Sequence, residues 1–352
     1  MLATIKTKNI KKVLIVRNDK LGDLLVSFSA FATLKKSLPN TEIHVLVPQY
    51  TAPIAKLCKF IDHVIVDPRS LPHTSQIQPL RETHRLSQLF RQQNYDAIIT
   101  LVSTLRVAVA AFLAGIPLRI APATKIGQIF YNHRITQRRS RSEKPEHRYN
   151  QELVEYFLSL LNTVPAQTVK PPYLEFAADS TGQLKQRFME MQHIPSDHLL
   201  VFIHPGSGGS ARNLSTQQFS QLANSLQSTQ PLSFIISYGP GEQHAAKSVY
   251  AEISHDKVLY ESKQGLENFS QHLAFADLFI SGSTGPLHIA GVLDRPTAAF
   301  YTRRRSATAL RWQTLNSANK RLAFCPAEDS AEEDMSTIDI AQAAKEISRA
   351  FL

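Results

Sequence analysis

The sequence predicts an α/β protein of two successive doubly wound domains, each a parallel sheet, and three observations lead there. Short apolar runs rich in β-branched residues alternate with helical periodicity along nearly the whole chain. A proline-rich, poorly periodic stretch, TVPAQTVKPPYLEF, interrupts the alternation near the middle. Beyond it the alternation starts again. Strands that alternate with helices are best accommodated in a parallel sheet, because each crossover helix packs back onto a face. The 352 residues are enough for two domains, expected at 1–165 and 166–352.

In the first half, strands are expected at 13–16 (VLIV), 43–47 (IHVLV), 63–66 (HVIV) and 97–101 (AIITL). Helical periodicity places helices at 24–37 and 81–93, and another at about 148–162. The second half is expected to hold strands at 199–203 (LLVFI), 232–237 (LSFIIS), 257–260, 277–280 (DLFI) and 297–301 (TAAFY). Between them run helices at 215–228, 242–253, 266–275 and 285–293. The segment 336–351 reads as a terminal helix, a candidate to pack back on the first domain. Ligands of doubly wound sheets sit beyond the carboxyl ends of strands. The strand-end loops, facing a cleft between the domains, are therefore where function is sought.

Composition narrows the class. Hydrophobic residues make up 43%, the level of a globular protein. Two cysteines, Cys58 and Cys325, give no disulfide framework and no C-x-x-C pair, which suits a reducing cytoplasm. The opening MLATIKTKNIKK leads straight into a strand without the apolar core of a signal peptide. The most apolar region, residues 105–121, is interrupted by Arg106, Pro117 and Arg119 and is too short to span a bilayer. The net charge is +10, from 39 Lys+Arg against 29 Asp+Glu. That excess suits a polyanionic partner such as an acidic glycolipid or an anionic membrane surface, or is simply a solvated basic surface. It is concentrated at 133–148, with Arg138 and Arg139 among six cations, and at 301–312, with Arg303, Arg304, Arg305 and Arg311. Neither run is interleaved with aromatic residues, and no nucleic-acid module is recognisable.

The strand-end loops carry the chemistry. HPGSGGSARNLS (204–215) follows a strand and precedes a helix, so its glycines let backbone N–H groups crowd an anion. Ser207, Gly208 and Arg212 add donors, and the following helix points its positive end at the same place. SGSTGPLHIAG repeats the device, with Ser283, Thr284 and Gly285 in a turn and His288 one turn inside the helix, either a ligand contact or a structural histidine. In YGPGEQH, Glu242 either accepts from ribose hydroxyls or sits favourably in a first helical turn. The first loop, RNDKLGD (17–23), departs from phosphate-binding patterns: it has one glycine and two aspartates, Asp19 and Asp23. Asp23 either serves chemistry or N-caps the helix that follows.

These stretches together resemble the lipopolysaccharide heptosyltransferases, glycosyltransferase family 9. The matching pieces are VLIVRNDKLGDLLVSFSAFATLKKSLPNTEIHVLV, HPGSGGSARNLS and SGSTGPLHIAGVLDRPTAAFY. AAFLAGIPLRIAPAT and HRYNQELVEYFLSLL also fit the family's layout, so the resemblance runs in order through nearly the whole chain. It implies a GT-B fold, with the acceptor bound by the first domain and a nucleotide sugar by the second. It implies an inverting transfer in which Asp23 is the catalytic base, with Asp19 as second candidate. The donor would be ADP-heptose, its diphosphate held by Ser207, Gly208, Arg212 and the 283–288 turn, with Glu242 near its ribose or base. The acceptor would be an anionic glycolipid of the lipid A-core type, met at the inner membrane surface by a cytoplasmic, peripheral protein. Arg17, Lys20, Arg138, Arg139, Arg303 and Arg304 are its candidate contacts. No cofactor is implied and no metal ligand is singled out, since the D-x-D of metal-clamped transferases is absent. Two departures bear on specificity. Ser283 stands where some heptosyltransferases carry an aspartate that touches the donor sugar, and Thr302-Arg303-Arg304-Arg305 replaces a Gly-Pro-Thr run. The rival readings are a family 9 enzyme for another nucleotide sugar and a silent GT-B scaffold.

Overall fold

The computed structural model describes residues 10–70, 79–167, 169–209 and 212–352. The chain divides into one unit of Met1–Arg139 with Glu146–Val169, and a second of Ser140–Pro145 with Lys170–Leu352. The first contains β1 (Lys12–Val16), α1 (Leu21–Leu25), α2 (Phe28–Ser37), β2 (Glu42–Val47), α3 (Ala52–Lys56) and β3 (His63–Val66). It continues with α4 (Pro79–Gln93), β4 (Ala97–Thr100), α5 (Leu105–Leu113), β5 (Leu118–Pro122), β6 (His133–Ile135) and α6 (Glu146–Leu160). All its strand pairs are parallel, in the order β3-β2-β1-β4-β5-β6. One face is sealed by Leu86 and Phe90 of α4 and Val107, Ala110 and Ala111 of α5, against Leu14, Val16 and Ile98 of the sheet. The packed pair α2 and α6 supplies a second layer, with α6 against β4 and β5. Strands covered on both faces must be apolar throughout, hence the near-continuous runs in β1, β2 and β4.

The second unit has α7 (Ala178–Met191), β7 (Leu199–His204), α8 (Thr216–Ser225), β8 (Leu232–Tyr238), α9 (Gln243–Glu252) and β9 (Asp256–Glu261). Then follow α10 (Gly265–Leu273), β10 (Leu278–Gly282), α11 (Gly285–Val292), β11 (Thr297–Phe300), β12 (Arg321–Phe324) and α12 (Ile340–Phe351). Its sheet is also parallel, ordered β12-β11-β10-β7-β8-β9. Numbered from its own first strand this is the order of the first unit. α8, α9 and α12 cover one face, while Phe188 of α7 packs with Phe202, Tyr260 and Phe275 on the other, its ring 5.5 Å from that of Phe275.

The strands and most helices fall where the sequence places them, and the differences have local causes. The helix expected at 24–37 is two helices, because Ser27 Oγ donates to the carbonyl of Asp23 at 2.8 Å and Asn150 Nδ2 donates to Ser27 Oγ at 3.1 Å. A serine bonded back one turn bends a helix, and here Asn150 of α6 holds that serine's hydroxyl in place. The apolar run 105–121 folds as α5 and β5, separated at Gly115, whose φ of 74° a β-carbon would disfavour. The basic stretch after residue 132 supplies β6, an edge strand whose exposed Arg134 discourages further pairing. The terminal helix packs within the second unit. Ala343, Ala344 and Ile347 of α12 lie in the second unit's own core beside α8, and Ser348 Oγ accepts from Gln227 N at 2.9 Å.

Candidate active site

Both sheets reverse strand order beside their first strand, between β1 and β4 and between β7 and β10. Those are the switch points at which doubly wound folds hold ligands. At the end of β1 the chain enters α1 at Leu21, with Lys20 as N-cap and without a side-chain cap. Asp23 is therefore the third helical residue, not the N-cap. Its Oδ1 accepts instead from Nη2 of Arg17. Arg17 is 1% exposed and also lies 3.1 Å from Asp19 Oδ1 and 3.3 Å from Glu146 Oε1. Arg139 donates to the same Glu146 oxygen at 2.6 Å, and to Gln137 Oε1 at 2.8 and 3.1 Å. Three carboxylates thus gather around one buried guanidinium, with a second guanidinium behind them.

Burial is the dominant influence on both aspartates. It raises Asp19 to about 7, and Arg17 offsets only part of the effect. Burial likewise raises Asp23, with Arg17 opposing and the charge of Glu146 adding to the rise. A carboxylate lifted above its ordinary range is a better proton acceptor at neutral pH.

Arg17 and Arg139 are committed to carboxylates within the unit, because a guanidinium held out of water needs counter-charges on its forked donors. Lys20 and Arg138 are exposed. Sequence reasoning missed Glu146, the first residue of α6, and also Asp67 and Arg106. Arg106 donates to Asp67, which also accepts from Asn18 Nδ2 at 2.6 Å. Asn18, Asp19, Asp67, Arg69, Thr104 and Arg106 line a cavity of about 310 Å³ beyond the carboxyl ends of the strands. The available signal for Arg106 was its place just past an expected strand end, where it had been read only as an interruption of an apolar run.

In the second unit, Glu242 ties two strand-end loops together. Its Oε1 accepts from Gly208 N and its Oε2 from Gly239 N, each at 3.0 Å, and His204 Nε2 stands 3.3 Å from Oε2. The hydrogen bond from His204 is the largest influence drawing Glu242 down to about 2. A carboxylate only accepts, so Nε2 carries the proton. Gly206 allows this packing, since a β-carbon there would come within 2.2 Å of the Glu242 carboxyl carbon. Gly208 and Gly209 adopt φ of 51° and 72°, a region side chains disfavour, and the N–H of Gly208 is given to Glu242. Ser215 and Gln218 form a reciprocal capping box that starts α8. Ser207 is half-buried and Arg212 exposed on the same loop.

The second loop meets the first through Asn213. Its Nδ2 donates to Pro205 O at 3.0 Å, and a β-carbon on Gly282 would fall 2.4 Å from its Oδ1. Ser283 and Gly285 are half-buried at the start of α11, and Thr284 is its N-cap without a side-chain cap bond, so the first-turn N–H groups keep their capacity for an anion. His288 is fully enclosed, its ring 6.3 Å from that of Trp312, and burial lowers it to about 4. It is a neutral imidazole at physiological pH. The 301–312 run is partly engaged: Arg303 donates through its backbone to Glu332 O at 2.8 Å, and Arg304 stands 3.4 Å from Glu333. Arg305 is exposed. No helix among the described residues is long and apolar enough to cross a membrane.

The profile of glycosyltransferase family 9 (heptosyltransferase) matches residues 83–335. A Haemophilus influenzae chain named only provisionally as a glycosyltransferase is 41% identical over 340 residues, 96% of each chain. Lipopolysaccharide heptosyltransferase 2 of Escherichia coli is 22% identical over 299 residues, 82% of each chain. The solved structure of E. coli ADP-heptose lipopolysaccharide heptosyltransferase II superposes with a TM-score of 0.74 at 16% identity, covering 97% of this chain and 98% of that one. The two six-stranded parallel sheets are accordingly those of a GT-B fold.

Proposed function

From a chain that belongs to glycosyltransferase family 9, we propose an inverting transferase that moves heptose from ADP-heptose to the lipopolysaccharide core or a related anionic glycolipid. The E. coli enzyme whose fold it shares is named for that donor. The observation that carries the reading is Asp23, a burial-raised carboxylate held by Arg17 at the switch point of the first unit.

Asp23 takes the proton from an acceptor hydroxyl as that oxygen attacks the anomeric carbon. The bond from that carbon to the diphosphate oxygen breaks, and ADP departs with the electron pair. Its charge is met by Arg212 and by the first-turn N–H groups of the 283–285 turn, the latter set in place by the start of α11 before the reaction begins. Glu242 acts here by holding the Gly206–Gly209 backbone in shape. His288, neutral and enclosed, supports the turn that ends at Gly285. Transfer is proposed to need no metal, because these donors supply the positive field. The exposed Lys20, Arg138, Arg304 and Arg305 suit an anionic acceptor presented at the cytoplasmic face of the inner membrane.

Calorimetric titration of ADP, UDP, GDP and then ADP-heptose into metal-free protein tests the reading. Selective ADP binding that tightens with the heptose moiety and weakens about tenfold or more in Arg212→Ala supports it. Preference for UDP or GDP would retain the transferase and discard heptose, an outcome that Ser283 at the donor turn makes worth measuring.

A further inference from the structure

Three side chains meet at the other end of the first unit's sheet, where no step of the transfer takes place. Glu42 and His44 are two apart on β2 and so share a face. His63 opens β3 and is the direct register partner of His44. Parallel pairing therefore brings the three together, and their potential ligand atoms all lie within 4.8 Å of one another. His44 Nε2 is 3.3 Å from Glu42 Oε2, close to the separation of two ligands on one tetrahedral ion. The two imidazole rings meet edge to face with centroids 4.6 Å apart.

The second partner of His44 matters as much. Its Nδ1 lies 3.0 Å from the hydroxyl of Tyr95, which is itself buried. In the metal-free chain Nε2–H donates to Glu42 and Nδ1 accepts from the Tyr95 hydroxyl; a bound ion would take the Nε2 lone pair, and Nδ1–H would then donate to that same oxygen. Metal-binding histidines are oriented in this way, through the ring nitrogen that does not bind. His44 is buried, while Glu42 and His63 are exposed, so the trio has a fixed inner ligand and an open side toward solvent.

We propose that Glu42, His44 and His63 form a binding site for a zinc-class divalent transition metal that staples the edge strand β3 to β2. Two imidazoles and one carboxylate suit zinc, cobalt(II) or nickel(II) and leave a position for water. Lys12 Nζ, 3.6 Å from Glu42 Oε2, is the cation the metal displaces from that oxygen. Asp62 is not a ligand, because Lys35 and the N–H of Ile43 already hold it at 2.7–2.9 Å. The site lies at the amino ends of β2 and β3, the opposite edge of the parallel sheet from the carboxyl end of β1 that leads to Asp23, so its role is structural rather than chemical. β3 gains most, since it pairs on one side only and is partly exposed along its length.

The test uses the tag-free full chain, stripped with chelator and titrated with cobalt(II), then zinc. One saturable equivalent with ligand-field absorption, displaced by zinc and accompanied by a rise in Tm, is expected. His63→Ala and Glu42→Gln should weaken binding about 10–100-fold, and Tyr95→Phe about tenfold through the loss of His44's partner. His84→Ala, an exposed histidine on α4, should change nothing. Nucleotide binding by each variant reports that it is folded. Undiminished affinity in His63→Ala, or the absence of a saturable equivalent in the wild-type chain, overturns the proposal.

Discussion

Around Asp23 the balance of charge is uneven: Asp19, Asp23 and Glu146 share the buried Arg17, and Glu146 is shared again with Arg139. Because the protonation of Asp23 is raised by burial and by Glu146, the acid limb of the rate profile should lie above the ordinary carboxylate range. Asp23→Asn removes the acceptor of the proton. It should lower kcat by about 10²–10⁴-fold while leaving nucleotide affinity intact in calorimetry. Glu146→Gln acts through Arg17. It deletes a negative charge that raises Asp23 and frees Nη2 for Asp23 alone, so the acid limb should move to lower pH. A parallel drop in rate at all pH values, with no shift of the limb, would show that Glu146 serves only the fold. Asp23 could be singled out from the sequence because it sits in a Gly-Asp pair just past a strand. Glu146 could not, because its link to Arg17 crosses 129 residues and exists only once α6 has packed on the sheet.

At the scale of elements, α11 shows how a functional turn is anchored. Pro286 starts it without losing a needed N–H, and Leu287, Ile289 and Ala290 bury the first turns. His288 is buried with them and lowered to about 4. The unfolded chain binds a proton near pH 6.5 that the folded chain refuses until about pH 4. Stability should therefore fall as pH drops through that window, by up to about 3 kcal/mol from this group. Denaturant melts of His288→Leu should show a flatter dependence between pH 6.5 and 4, whatever the variant's absolute stability. An unchanged slope would mean that His288 is not the refusing group. The elements legible in advance were those whose burial pattern is local, such as β7, β8 and α8. α5 was hidden because its exposed positions Leu105, Phe112 and Leu113 are themselves apolar, so no polar face reveals its period. The break between α1 and α2 was hidden because Asn150 makes it from another element.

Across the whole molecule, the same strand order occurs twice and the two copies have diverged in what they place at the switch point. The first unit ends β1 in acids gathered on a guanidinium. The second ends β7 and β10 in glycine and serine loops braced by Glu242 and Asn213. The carboxylates of the two copies are tuned in opposite directions: Asp23 is raised by burial, whereas Glu242, beside the glycine loops, is drawn down by His204 and two backbone N–H groups. Duplication of the fold keeps these two settings apart. ADP should therefore act on one copy: in hydrogen exchange it should slow the amides of 204–215, 239–242 and 282–286 and leave 17–25 little changed. Glu242→Ala unties the two braced loops while leaving α8 capped by Ser215. It should weaken ADP about tenfold and raise exchange in 205–209 before any ligand is added. If instead ADP protects 17–25 and leaves 204–215 untouched, the assignment of the cradle to the second copy fails. Protection confined to the glycine loops would place ADP on the second copy alone.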